Sequence, residues 1–170
     1  MFIITAKKKA KDLSVLENMK DLAEIRKDLL NNSIAKEICD DNNIGSWFLA
    51  VVPIMFSELE VSAKTEDGNI LLSDDLKDHP HKTRMRYVLH ELVHAIQHSL
   101  DKNKDSDKER DYLDRDDELE AFQYQLKFDK DNMSKGDLDE YLDNLMDHHD
   151  IPDVDRESKI IELMSKANLK

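Results

Sequence analysis

The chain has 170 residues and a net charge of −13, with charged residues at 37%, hydrophobic at 39%, three Gly and three Pro. That suits one helix-rich, soluble domain over residues 1–170 with its own core. The acidity argues against nucleic acid as the main partner, because phosphate binding needs a basic surface.

Cys39 is the single cysteine. It reads as a small buried hydrophobe in a reducing, cytoplasmic setting. Met1 to Ala6 has no basic run ahead of its apolar residues, so it does not read as a secretory signal. The longest apolar stretch, Trp47 to Phe56, contains Pro53 and is far too short to span a membrane.

Phe2 to Thr5 reads as a short strand. From Ser14 to Cys39, apolar residues recur at three- and four-residue spacing, which predicts an amphipathic helix broken near Asn31-Asn32-Ser33. Trp47 to Val52 is β-prone, and Leu59, Val61 and Ala63 alternate with polar residues. Asp67-Gly68 marks a tight turn into Asn69–Ser73. These pieces predict a small antiparallel or mixed sheet within an α+β fold. Asp74 to Lys82 reads as a connection, and a helix follows from about Thr83 to Leu100. Asp101 to Asp117 reads as an exposed, mobile loop. Three further helices follow: one from Asp116 to Lys130, one starting at Ser134 or Asp137, and one after Pro152.

The helix from Thr83 to Leu100 carries His90-Glu91-Leu92-Val93-His94, an H-E-x-x-H pattern that sets two imidazoles one turn apart on one face. With His90 at zero on a helical wheel of about 100° per residue, Val88, Leu89, Leu92, Val93, Ala95, Ile96 and Leu100 fall within roughly 140–300°. The histidines lie opposite that arc, so one face is predicted core and the other a site. His90 and His94 can reach one zinc ion, with Glu91 as general base toward a water that the metal activates. His98 lies about 12 Å along the axis from His90 and cannot join them on one ion.

A third ligand is expected from a facing element. On the helix around Glu118-Leu119-Glu120-Ala121-Phe122, Glu118 is flanked by apolar positions, whereas Glu120 falls among Gln123 and Lys127. Glu118 is favoured, with Glu120 as the alternative.

These residues resemble the gluzincin class of zinc metallopeptidases. Its members pair H-E-x-x-H with a glutamate on the next helix, in the pattern Glu-x-x-small-Asp/Asn. Glu118-Leu119-Glu120-Ala121 matches up to the small residue. The Glu-x-Glu-Ala string is more narrowly similar to small ImmA/IrrE-type and phage-encoded zincins. The resemblance covers about residues 69–126 and implies a zincin-like fold and a Zn2+ site of His90, His94 and Glu118. It also implies hydrolysis of a protein or peptide substrate. It departs at Phe122, where the family often has an Asp or Asn that orients a zinc histidine. That role would pass to Asp114, Asp116 or a backbone carbonyl.

An oxyanion-stabilising group is expected among Tyr112, Tyr124, Tyr141, His148 and His149. Asn69–Ser73 is the expected strand for receiving an extended substrate, with the loop at 101–117 over the cleft. A non-catalytic zincin-fold module acting in protein binding is the alternative reading.

Overall fold

The computed structural model describes residues 2–102 and 109–167, with side chains from residue 16 onward. Helix α1 (Phe2–Asn31) begins where a strand was expected at Phe2–Thr5. The short β-prone run passes without a break into Ala- and Lys-rich helix formers, and the helix prevails. At its other end the expected break is present. Asn32 leaves the helix with extended backbone, and its Oδ1 accepts from the amides of Ile34 and Ala35, so that α2 (Ser33–Asp41) starts afresh.

Trp47 to Val52 is also not a strand: residues 48–51 form a single helical turn, α3 (Phe48–Val51). Its amides close back onto Gly45, Ser46 and Trp47. From α1, the Arg26 guanidinium donates to the carbonyl oxygens of Leu49 and Val52, at 2.6 and 2.5 Å. A distant cation thus supplies donors to the exit of this turn, overriding the β propensity of Phe and Val.

Three strands follow: β1 (Ile54–Ser57), β2 (Ala63–Glu66) and β3 (Asn69–Ser73). Their order is β1-β3-β2, with β1 parallel and β2 antiparallel to β3, so the sheet is mixed. Leu59 and Val61, expected in a strand, lie in the irregular link before β2. The Asp67-Gly68 turn is present, both residues having positive φ (51° and 75°), as a two-residue hairpin requires. A Cβ on Gly68 would also meet the His98 ring at 2.9 Å. Asn69–Ser73, expected as the substrate-receiving strand, lies in the middle of the sheet with both edges paired, and β2 is the strand beside the site. The order of strands depends on long-range pairing that local periodicity does not encode.

After a 3-10 turn at Asp74–Asp78 comes α4 (His81–Ser99). Its apolar arc, Val88, Leu89, Leu92, Val93, Ala95 and Ile96, is fully buried against α1, α2 and the sheet. Leu100, expected in that arc, lies past the helix end and is 39% exposed.

Then come α5 (Asp116–Asn132), α6 (Lys135–His148) and α7 (Asp153–Lys166). Ser134 caps α6, its Oγ accepting from the Asp137 amide. Helix α5 lies between two cores. Ala121, Tyr124 and Phe128 join the one around α4, whereas Leu119, Phe122 and Leu126 join a second with Leu113, Leu138, Leu142, Met146 and Leu163. The loop expected at 101–117 is therefore partly built in: Leu113 is buried in the second core, and Tyr112–Asp114 form a 3-10 turn. Residues 103–108 of that loop lie outside the described residues.

Arg86 on α4 donates through Nε to the buried Asp129 of α5 at 2.9 Å, and its guanidinium lies 3.9 Å over the Tyr141 ring. Gln97, three turns further along α4, donates instead to the Asp117 carbonyl and to Glu120. The two helices are thus antiparallel, pinned at both ends, with His90 and His94 between the pins and opposite Glu118. No described helix is long and apolar enough to cross a membrane. Taken together, the described residues form an α+β fold with seven α-helices and a small mixed sheet.

Candidate metal centre

Helix α4 presents His90 and His94 one turn apart, and the first turn of α5 presents Glu118 to both. His90 Nε2 and His94 Nε2 are 3.2 Å apart, and Glu118 Oε2 lies 3.3 and 3.4 Å from them. His90 and Glu118 are only 6% and 8% exposed. A nearly equilateral triangle of this size is what three corners of a tetrahedron give when each donor stands about 2.0–2.1 Å from a common centre, the zinc–nitrogen and zinc–oxygen bond length. Among the described residues these three form the metal-competent cluster.

The protonation pattern supports the same assignment. Gln97 Nε2 faces two acceptors, Glu120 Oε2 at 2.9 Å and the Asp117 carbonyl at 3.2 Å, so its oxygen must be the atom turned toward His94. That oxygen stands 2.9 Å from His94 Nδ1, which must therefore carry hydrogen. In the neutral ring, Nε2 then holds the free lone pair and points at His90 and Glu118. Glu118 Oε2 is buried without a directed hydrogen bond. Three lone-pair-bearing atoms converging in a buried space suit a shared cation. The donor set, two imidazoles and one carboxylate, fits zinc.

Without a cation, a proton takes its place. Burial alone would lower the His94 pKa, but the Glu118 carboxylate, the Glu91 charge and the Gln97 contact outweigh it and raise it to about 9. Burial would raise Glu118, yet the two imidazoles win and hold it well below the usual carboxylate range.

Gln97 performs the orienting role expected of Asp114, Asp116 or a backbone carbonyl. Asp114 instead pairs with Lys159, and Asp116 with Arg110 at 3.9 Å. Glu120 is no solvated bystander either. It anchors Gln97, and Asn42 donates to its other oxygen at 3.5 Å. The i, i+3 spacing from His94 to Gln97 was a usable signal. His90 has no such support: its Nδ1 is buried without a hydrogen-bond partner, and the Phe122 ring packs edge-on 4.9 Å away. Replacing Gln97 by Met should therefore weaken zinc binding 10- to 100-fold at unchanged far-UV circular dichroism, measured by competition with a chelator. Unchanged affinity would show that Gln97 does not orient His94.

Glu91 faces the same space from between the histidines and is buried. Thr65 on β2 holds it: the hydroxyl is 2.9 Å from Glu91 Oε2 and 3.0 Å from its carbonyl oxygen. Nothing in the local sequence around Thr65 signals this contact.

Two cavities, of about 830 and 620 Å3, flank the site, and Val61, Ala63, Glu91 and Tyr112 line both. Of the five expected oxyanion candidates, Tyr112 is the one that lines a cavity together with Glu118 and His94. Burial first, then the carboxylates of Glu118 and Glu91, raise its pKa, so the phenol keeps its proton and can donate. His149 stacks on Tyr112 at 4.6 Å, and His148 meets His149 edge-on. Tyr141 accepts from Gln125 on the far wall of the larger cavity. Tyr124 points away and donates to Asp41. His98 is exposed and lines the smaller cavity outside the triad. Cys39 is buried, and burial ahead of the Asp40 charge pushes its thiol up to about 11.

The chain matches no protein-family model, no curated protein and no solved structure.

Proposed function

We propose that this chain is a zinc-dependent peptidase with a zincin-like arrangement, holding the metal on His90, His94 and Glu118 and using Glu91 as general base. The observation that carries the reading is the triangle of 3.2, 3.3 and 3.4 Å with an additional buried carboxylate beside it. A purely structural zinc site fills all four positions with protein ligands and has no need of a base.

When bound, zinc acts as a Lewis acid toward a carbonyl and makes water a better nucleophile at neutral pH. The chain's residues do the rest. Glu91 accepts the proton of the attacking water and returns it to the leaving nitrogen. Tyr112, protonated and at the cleft, donates to the oxygen that gains charge.

A peptide substrate is supported by β2. Across the Asp67-Gly68 turn, Glu66 pairs with Asn69 and Lys64 with Leu71, and the Ser73 amide donates to the Ser62 carbonyl at 2.8 Å. Alternate residues of an antiparallel strand bond the same neighbour. The N–H and C=O of Ala63 and Thr65 therefore face the open edge, beside Glu91. An extended chain added there would run between the two cavities, with residues on both sides of the scissile bond, as an endopeptidase requires.

The purified protein is expected to contain one zinc per chain. A chelator should abolish cleavage of an unfolded protein substrate, and added zinc should restore it. Cleavage that survives metal removal, or a stoichiometric metal other than zinc, would overturn the reading.

A further inference from the structure

Thr65 stands where two features of the molecule meet. It lies on the open edge of the sheet, and its side chain faces α4 rather than solvent: Ala63 and Thr65 are half-buried, while Lys64 and Glu66 are exposed and pair with one another at 2.8 Å. Its hydroxyl is within hydrogen-bond distance of both Glu91 Oε2 and the Glu91 carbonyl oxygen. A hydroxyl has one hydrogen, so it donates to one acceptor at a time. The carboxylate, being charged, is the stronger acceptor.

We propose that Thr65 is a positioning residue that fixes the Glu91 carboxylate from the substrate-receiving strand. The inference rests on the reading of Glu91 as general base.

Glutamate has three rotatable side-chain bonds, and a helix fixes only where its Cβ points. Among the described residues, the side-chain donor that an observed hydrogen bond gives to the Glu91 carboxylate is Thr65. A bond to Oε2 stops rotation about the last torsion and leaves Oε1 to take the proton of the attacking water. The same residue's main-chain N–H and C=O face the open edge of β2, so a chain pairing there and the base that acts on it are referenced to one residue. The register then carries the alignment. A one-residue slip of β2 would turn Lys64 or Glu66 toward α4 and remove the hydroxyl from Glu91.

The test compares Thr65→Val, which keeps the shape and removes the hydroxyl, with Thr65→Ser, which keeps the hydroxyl and removes a methyl. In zinc-loaded protein, Thr65→Val should lower kcat about tenfold or more. Its KM should stay within about twofold and its zinc content should not change. Thr65→Ser should recover kcat to within about threefold of the parent. A strand that had merely lost packing would not be rescued by the smaller residue. If Thr65→Val turns over like the parent, the inference is overturned while the peptidase reading stands.

A second measurement needs no activity. In metal-free protein, urea unfolding of Thr65→Val, Glu91→Ala and the double variant forms a cycle. The expected result is that Thr65→Val lowers the folding constant about five- to tenfold in the parent and at least about threefold less in the Glu91→Ala background, where the hydroxyl keeps only the neutral main-chain carbonyl of residue 91 as acceptor. Equal losses in both backgrounds would sink the inference. If the zinc-loaded parent cleaves nothing, the peptidase reading fails, and this cycle alone decides whether Thr65 holds Glu91.

Discussion

Glu91→Gln is expected to bind zinc as tightly as the parent and to lose at least a hundredfold in kcat. The amide keeps the size of the side chain and an oxygen that can accept from Thr65, now 2.9 Å from the carboxylate. What it lacks is basicity. A positioned general base contributes about 10²–10⁴-fold, so its removal should appear in kcat rather than in KM. Metal binding should be spared because the triangle consists of His90, His94 and Glu118. The Glu91 charge is one of the causes that raise His94. Neutralising it makes that ring easier to deprotonate, which favours the metal at neutral pH. Peptide cleavage followed by chromatography, beside elemental analysis of the same preparation, tests both halves. Full zinc with parental kcat would remove Glu91 from the mechanism. Loss of zinc would assign it to the ligand set.

The motif helix was legible because two periodicities coincide in it. The apolar residues of α4 recur on one arc and the histidines on the other, and burial of Val88, Leu89, Leu92 and Ile96 follows from the first alone. Glu118 was legible for the same reason, flanked as it is by apolar neighbours on α5. The surroundings of Glu120 are not legible in its own helix, because they are set by α4 and α2. Gln123 and Lys127 described its own helix, whereas the atoms that meet it are Gln97 Nε2 and Asn42 Nδ2.

The differences between the sheet and its local sequence pattern have a common physical origin. Phe48–Val51 carries β-prone residues but coils into one turn because Arg26, over twenty residues away, supplies donors for its carbonyls. The order β1-β3-β2 rests on pairings between segments apart in sequence, and it is with β2 on an edge that Thr65 meets Glu91. Period-two alternation tells which side chains share a face. It is silent on which edge stays open.

Removal of zinc should reverse the pH dependence of the centre. In metal-free protein His94 has a pKa of about 9 against an ordinary 6.5, because Glu118 and Glu91 outweigh burial. A raised pKa means that the native state binds the proton more tightly than the unfolded chain. The stability it contributes is complete below about pH 6.5 and is lost as pH rises through about 9. Glu118, held below its ordinary 4.5, contributes stability above that pH and loses it on acidification through its depressed native value. The metal-free protein should therefore be most stable between about pH 4.5 and 6.5 as far as this pair is concerned. It should weaken by roughly 3 kcal/mol on going to pH 9, read from urea midpoints. Zinc needs the opposite protonation state. Its binding must expel the His94 proton, so apparent affinity should climb about tenfold per pH unit from 7 toward 9 and then level. Calorimetry in buffers of different ionisation enthalpy should count about one proton released at pH 7.5. Glu118→Gln removes the charge that holds that proton. In this variant the climb should move down toward the ordinary histidine range, even as the lost ligand weakens binding at every pH. An affinity that is flat from pH 7 to 9 in the parent would show that no ligand proton is displaced in that range, and that His94 is already neutral in the metal-free protein at pH 7.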